Sequence, residues 1–258
     1  WSAEATSRST SARCPVHNVA LAVDVERSLS ESNWNDATLV EFAAMFKPCR
    51  VCNLDRALLA WGVPRNMIHC TLHNYKPDHD SQTRALEATR QIVKQSGFVV
   101  MACQHGERSE SSFGIGKTHL AIGAMRELYP VRSMLITQAE FLTALRARYD
   151  STTNVDICAR MKHVKGVLVL DDAGLSTGGR DEVPKLHEIL SARFGEQLRT
   201  IITTNLKLAE FLNMVGPRMA DRLSEAAIAM VEMEGRSHRK ERRNDYVTNT
   251  NNALGHRS

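Results

Sequence analysis

The chain lacks any uninterrupted apolar run of about 18 residues, so no membrane-spanning helix is expected. Its first residues, Trp1 to Arg13, are rich in Ser and Thr and have no apolar centre, which excludes a secretory signal. Because the chain begins at Trp1 rather than Met, that end is expected to be incomplete. Six cysteines among 258 residues are too few for a disulfide scaffold, and a reducing, cytoplasmic setting follows. The sequence has no internal repeat and little charge imbalance. Lys and Arg total 33 against 29 Asp and Glu, and a net charge of +4 does not by itself call for a polyanion partner.

What remains is a chain 43% hydrophobic, long enough for one large domain and a small appendage. Residues 1–13 are expected to be disordered. Residues 14–75 form a small region rich in Cys and His, in which Gly62-Val-Pro64 breaks an apolar helical stretch running from Leu54 to Trp61. A polar linker, Pro77 to Asp80, leads into residues 76–240, and a basic solvated tail follows at 241–258. Within 76–240 the pattern alternates. Ala85, Ala88 and Ile92 line one face of a helix, and Phe98 to Cys103 is a continuous apolar strand of the kind covered on both faces. Helices are predicted over 118–128, 138–149, 182–197 and 217–225. Strands are predicted over 133–136, 166–170, 200–203 and 228–233. Apolar strands alternating with helices predict a parallel α/β sheet with helices on both faces, and ligands in such sheets sit beyond the carboxyl ends of the strands.

Two motifs fall at those ends. Ser111 to Thr118 reads as a phosphate loop: Gly114 and Gly116 turn the backbone tightly, and Ile115 lies between them. The helix that follows points free N–H groups at an anion. Lys117 would bridge two phosphates of ATP, and the Thr118 hydroxyl would bind Mg²⁺. Ser111 stands where the usual motif has Gly, and a polar insert, Gln104 to Glu110, separates strand from loop. Further on, Val167 to Leu170 bury a strand that ends in Asp171 and Asp172. Asp171 is placed to hold Mg²⁺ and Asp172 to polarise a water. The alternative is a strand end with two solvated acids. Asn205 closes another apolar strand, where an amide can orient water or read a phosphate.

Arg218 and Arg222 lie one turn apart on one helix face behind Pro217. They suit either a finger reaching a neighbour's phosphate or salt bridges to Asp221 and Glu225. Arg239 follows the last strand and is a candidate phosphate contact in cis.

These residues, in this order, resemble the DnaC/IstB-like branch of the P-loop AAA+ ATPases, over roughly residues 54–240. The resemblance rests on Gly114 to Ala121, Leu170 to Gly174, Thr200 to Leu206, Gly216 to Leu223 and Gly235 to Arg239, and on His69 to Tyr75 entering the core. It implies an ATP-dependent, self-associating switch. It adds His119 to the nucleotide-binding set, makes Arg222 the preferred finger, and makes Asn205 a sensor. It also implies a helicase loader that binds single-stranded DNA and a replicative DNA helicase, the latter through the N-terminal region. The close alternative is the ATPase helper of a transposase; another is a DNA- or helicase-binding module without turnover. Arg146, Arg148, Tyr149, Arg160 and Lys162 lie where loaders carry a DNA-facing helix, and the alternative is a solvated face. Some relatives also carry a zinc knuckle. Cys14, His17, Cys49 and Cys52 have the two-residue gaps of a Zn²⁺ site, with Cys49, Cys52, Cys70 and His73 as a rival set and reduced thiols as the alternative.

Overall fold

A computed structural model of the chain describes residues 50–104, 114–150, 157–174 and 182–236. The chain divides into two compact units, residues 1–57 and 58–258. In the first, only residues 50–57 are described, within helix α1 (Arg50–Ala60). The second unit begins inside α1. It therefore takes in residues 58–75.

After α1 and a short 3-10 turn at Arg65–Met67, the elements alternate. They run α2 (Asp80–Lys94), β1 (Phe98–Cys103), α3 (Lys117–Glu127), β2 (Met134–Thr137), α4 (Gln138–Asp150) and α5 (Ile157–His163). Then come β3 (Leu168–Ala173), α6 (Glu182–Gly195), β4 (Thr200–Thr204), α7 (Leu208–Val215), α8 (Pro217–Ala226) and β5 (Ala227–Met233). The five strands form one parallel sheet in the order β2-β3-β4-β1-β5. The α/β architecture expected from the alternation is the one observed. Helix α7 falls in a stretch where the sequence pattern places no element, and α5 overlaps the stretch where the resemblance implies a DNA-facing helix.

Strand alternation sorts the core into two layers. Phe98, Val100, Leu168, Leu170 and Ile202 face a cluster with Phe141, Leu142, Met161, Leu186, Ile189, Phe211 and Leu223 from α4 to α8. The opposite face, with Val99, Met101 and Ile201, is covered by α2 and α3. Every residue of β1 is buried, which is why it reads as an unbroken apolar run.

Strand β3 runs three residues past its predicted end. Leu170 pairs with Ile202 and Ala173 with Thr204, so β3 inserts one extra residue at the acidic pair. This bulge gives Asp172 a positive φ of 53°. The two carboxylates thus project from inside the strand rather than beyond it.

Residues 58–63 are fastened to edge strand β2 by a 2.7 Å bond from Leu135 N–H to the Trp61 carbonyl. Gly62 makes this approach feasible: its φ is +96°, and an added Cβ would sit 2.2 Å from the Leu135 carbonyl oxygen. Backbone cannot yield as a side-chain tip does. Gly62→Ala is therefore expected to lower unfolding free energy by about 3 kcal/mol, measured by urea titration, through both backbone strain and the clash. A loss under about 1 kcal/mol would show that the attachment gives way at little cost.

Candidate nucleotide site

The phosphate loop, β3 and β4 meet at the carboxyl ends of the strands. Helix α3 starts at Lys117 behind Gly116, whose φ is +92°; Gly114 has φ +79°. Both conformations favour glycine. Ile115 is buried, 1% exposed, and its carbonyl accepts a 3.0 Å bond from the Tyr75 hydroxyl.

Two connected hydrogen-bond chains organise the side chains. In the first, Lys117 Nζ donates to Asn205 Oδ1 at 2.9 Å, and Asn205 Nδ2 donates to Asp172 Oδ1 at 3.0 Å. In the second, the Thr118 hydroxyl lies 3.0 and 3.1 Å from the two Asp171 oxygens. Thr203 donates to Asp171 Oδ1 at 2.6 Å and accepts from the Asp172 N–H at 3.0 Å. Lys117, Asp171 and Thr203 are all buried. Burial pushes the Asp171 carboxyl above its usual range, and the neighbouring Asp172 charge adds to this. Hydrogen bonds from Thr203 and Thr118 and the Lys117 charge pull the other way.

Five residues singled out in sequence, Lys117, Thr118, Asp171, Asp172 and Asn205, are thus brought into one cluster, with Gly114, Ile115 and Gly116 beside it. The donor set fits a magnesium nucleotide. One hydroxyl and one carboxylate supply hard oxygen ligands, and a lysine beside a glycine-lined loop suits phosphate.

Other candidates lie elsewhere. His119 Nε2 is 2.9 Å from both the Thr71 carbonyl and Asn74 Oδ1, so it joins the 69–75 segment. On α8, Arg222 is half-buried. It donates to Ser191 Oγ at 2.6 Å, and its guanidinium lies 6.0 Å from the Phe194 ring centre. Its guanidinium therefore bonds α6 of its own chain rather than Asp221 or Glu225. Arg218, one turn earlier, is exposed. Of the basic residues proposed for DNA, Arg146 and Arg160 are exposed, whereas Lys162 is paired with Glu188. Lys162 and Lys185 together draw the Glu188 carboxyl down to about 2. The side chains of Arg148 and Tyr149 lie outside the described residues, as do Ser111, Arg239, Cys14, His17 and Cys49. Cys52 lies in α1. Among the described residues, no group of three or more His, Cys, Asp or Glu is placed to hold a metal ion, and zinc finds no support.

Thr203 was read in sequence only as the end of a strand. A hydroxyl inside the run Ile201 to Thr204 was the available signal. Gln138 gave none: its Oε1 accepts from the Gly174 N–H just past the acidic pair.

Residues 110–245 match the family described as IstB-like ATP binding protein. The chain is 24% identical over 200 residues to the replicative helicase loader DnaC of Buchnera aphidicola subsp. Schizaphis graminum, covering 76% of this chain and 80% of that protein. It is 25% identical over 190 residues to DnaC of Escherichia coli K12, covering 71% and 75%. Among solved structures, a DnaC helicase loader superposes with a TM-score of 0.55 at 21% identity, over 66% of this chain and 100% of that one. The initiator DnaA bound to AMPPCP and single-stranded DNA superposes at 0.53 and 18% identity, over 65% and 51%. No helix among the described residues is long and apolar enough to cross a membrane. With its phosphate loop, acidic strand and parallel sheet assembled as described, the chain belongs to the IstB-like ATP binding proteins, the DnaC/IstB-like branch of the P-loop AAA+ ATPases.

Proposed function

We propose that this chain is an ATP hydrolase of the helicase-loader type, acting in DNA replication in the cytoplasm. It would bind single-stranded DNA, assemble with copies of itself, and hold a replicative DNA helicase through the region ahead of its ATPase core. The observation that carries the reading is the linked pair of chains Lys117–Asn205–Asp172 and Thr118–Asp171–Thr203, which joins a phosphate-binding cation to two carboxylates.

In this reading Gly114, Ile115 and Gly116 offer backbone amides, and Lys117 moves from Asn205 to the phosphates. Thr118 and Asp171 would hold Mg²⁺, which supplies charge neutralisation when bound. Asp172 accepts a proton from, or polarises, the attacking water, and Asn205 keeps that carboxylate oriented. From a neighbouring subunit, an α8 arginine meets the developing charge. Arg222 is the preferred finger, braced in its own chain by Ser191 and Phe194, and exposed Arg218 is the second candidate. Arg146 and Arg160 remain as strand-contacting cations.

The match to the IstB-like family favours a second reading, a transposase helper built on the same core. ATP hydrolysis measured with and without a single-stranded oligonucleotide tests the enzyme reading. Slow turnover raised by the oligonucleotide is expected, and Arg222→Ala should lower that turnover without weakening ATP binding. No hydrolysis under either condition would leave only a binding module. Capture of a replicative helicase by the full chain, against capture of a transposase, separates loader from helper.

A further inference from the structure

Residues 69–75 form a closed block. Thr71 N–H donates to Asn74 Oδ1 and Asn74 N–H to Thr71 Oγ1, both at 2.9 Å, and Asn74 Nδ2 donates to the His69 carbonyl. The block rides on one stripe of α3 and its preceding turn. At Gly116, an added Cβ would lie 2.4 Å from Tyr75 Cε2. At His119, the ring meets Tyr75 edge-on at 5.3 Å while Nε2 bonds Thr71 and Asn74. At Gly123, an added Cβ would lie 2.5 Å from Leu72 Cδ2. Positions 116, 119 and 123 share one helix face, so the block is latched along it.

The decisive contact is the Tyr75 hydroxyl on the Ile115 carbonyl, 3.0 Å and buried. A trans peptide is planar, with its N–H opposite its C=O. Holding the Ile115 carbonyl toward Tyr75 therefore turns the Gly116 N–H away from Tyr75. That amide is one of those the phosphate loop offers to an anion. We infer that Tyr75 is a positioning residue for the nucleotide site: it fixes the Ile115–Gly116 peptide plane and so ties nucleotide occupancy to the order of residues 69–75. The inference rests on the ATP-binding reading. Because coupling between two sites is reciprocal, nucleotide bound at the loop must in turn steady the block.

Tyr75→Phe keeps the ring and deletes only the hydroxyl. Calorimetry with Mg-ATP, and separately Mg-ADP, should show about fivefold weaker binding of both in the variant, the effect of one hydrogen bond. The melting temperature without nucleotide should fall by only a few degrees, the effect of one buried hydrogen bond. Hydrogen exchange supplies the second readout: ATP should slow exchange across residues 69–75 in native protein and lose that effect in Tyr75→Phe. Equal affinities in the two proteins, with exchange at 69–75 indifferent to ATP, would overturn the inference while leaving the ATP reading intact. A fall in melting temperature with unchanged affinity would overturn it too, as the mark of a packing role alone. Native protein that binds no nucleotide would remove both.

Discussion

Lys117→Ala is expected to weaken ATP binding by 100-fold or more and to reduce turnover to background. The ammonium group is buried and held by Asn205 at 2.9 Å, in reach of the loop that would carry the phosphates. Its removal takes away a cation linked through Asn205 to Asp172 of the acidic strand. Truncating one partner of a buried, hydrogen-bonded charge pair costs about 2–5 kcal/mol, and the middle of that range corresponds to about 300-fold. The fold should survive, because the lysine stem leaves from the first turn of α3 while the apolar faces of that helix remain intact. Circular dichroism checks the fold, and titration with a fluorescent ATP analogue gives the affinity. Near-native affinity in a folded variant would mean that phosphates are held by groups other than those described.

The second large effect concerns stability. Arg193 has no exposed surface and lies in α6 with its guanidinium spread over backbone oxygens. Nε donates to Thr200 Oγ1 at 2.8 Å. One terminal nitrogen reaches the carbonyls of Met161, Lys162 and Val164 at 2.8, 3.2 and 3.2 Å, and the other reaches Arg199. Burial draws its pKa down to about 10, with Glu196 opposing, so the group is still a cation at neutral pH. The carbonyls of Met161 and Lys162 end the seven-residue helix α5 and have no partner further along it. A cation there also meets the negative end of the helix dipole. Arg193→Met should therefore leave several buried oxygens without donors. The expected loss is about 3–5 kcal/mol of unfolding free energy, or about 10 °C in melting temperature. Arg193→Lys, which keeps the charge but not the fork, should fall between the two. A loss below about 1 kcal/mol in the Met variant would show that α5 is held by its apolar side alone.

The site was legible because its groups sit in two contiguous motifs. Residues 114–118 and 171–172 declare their chemistry locally, and the strands beneath them are buried on both faces and so read as unbroken apolar runs. Strand β3 was cut short at Leu170 because two acids look like the end of a buried strand. Asp171 stays inside it because Thr118 and Thr203, far away in sequence, supply the donors that burial demands. Helix α5 is illegible from periodicity because seven residues carry barely two turns and three of them are basic. Helix α7, with eight residues, lies equally near the limit. The 69–75 block has no period at all: its structure comes from turn hydrogen bonds and from partners forty and more residues away.

Isothermal calorimetry of Mg-ATP with the native chain tests the central claim most directly. A single site per chain is expected, weakened when the metal is chelated, because Thr118 and Asp171 share in holding it. Folded protein that releases or absorbs no heat over a full titration at several temperatures would contradict it.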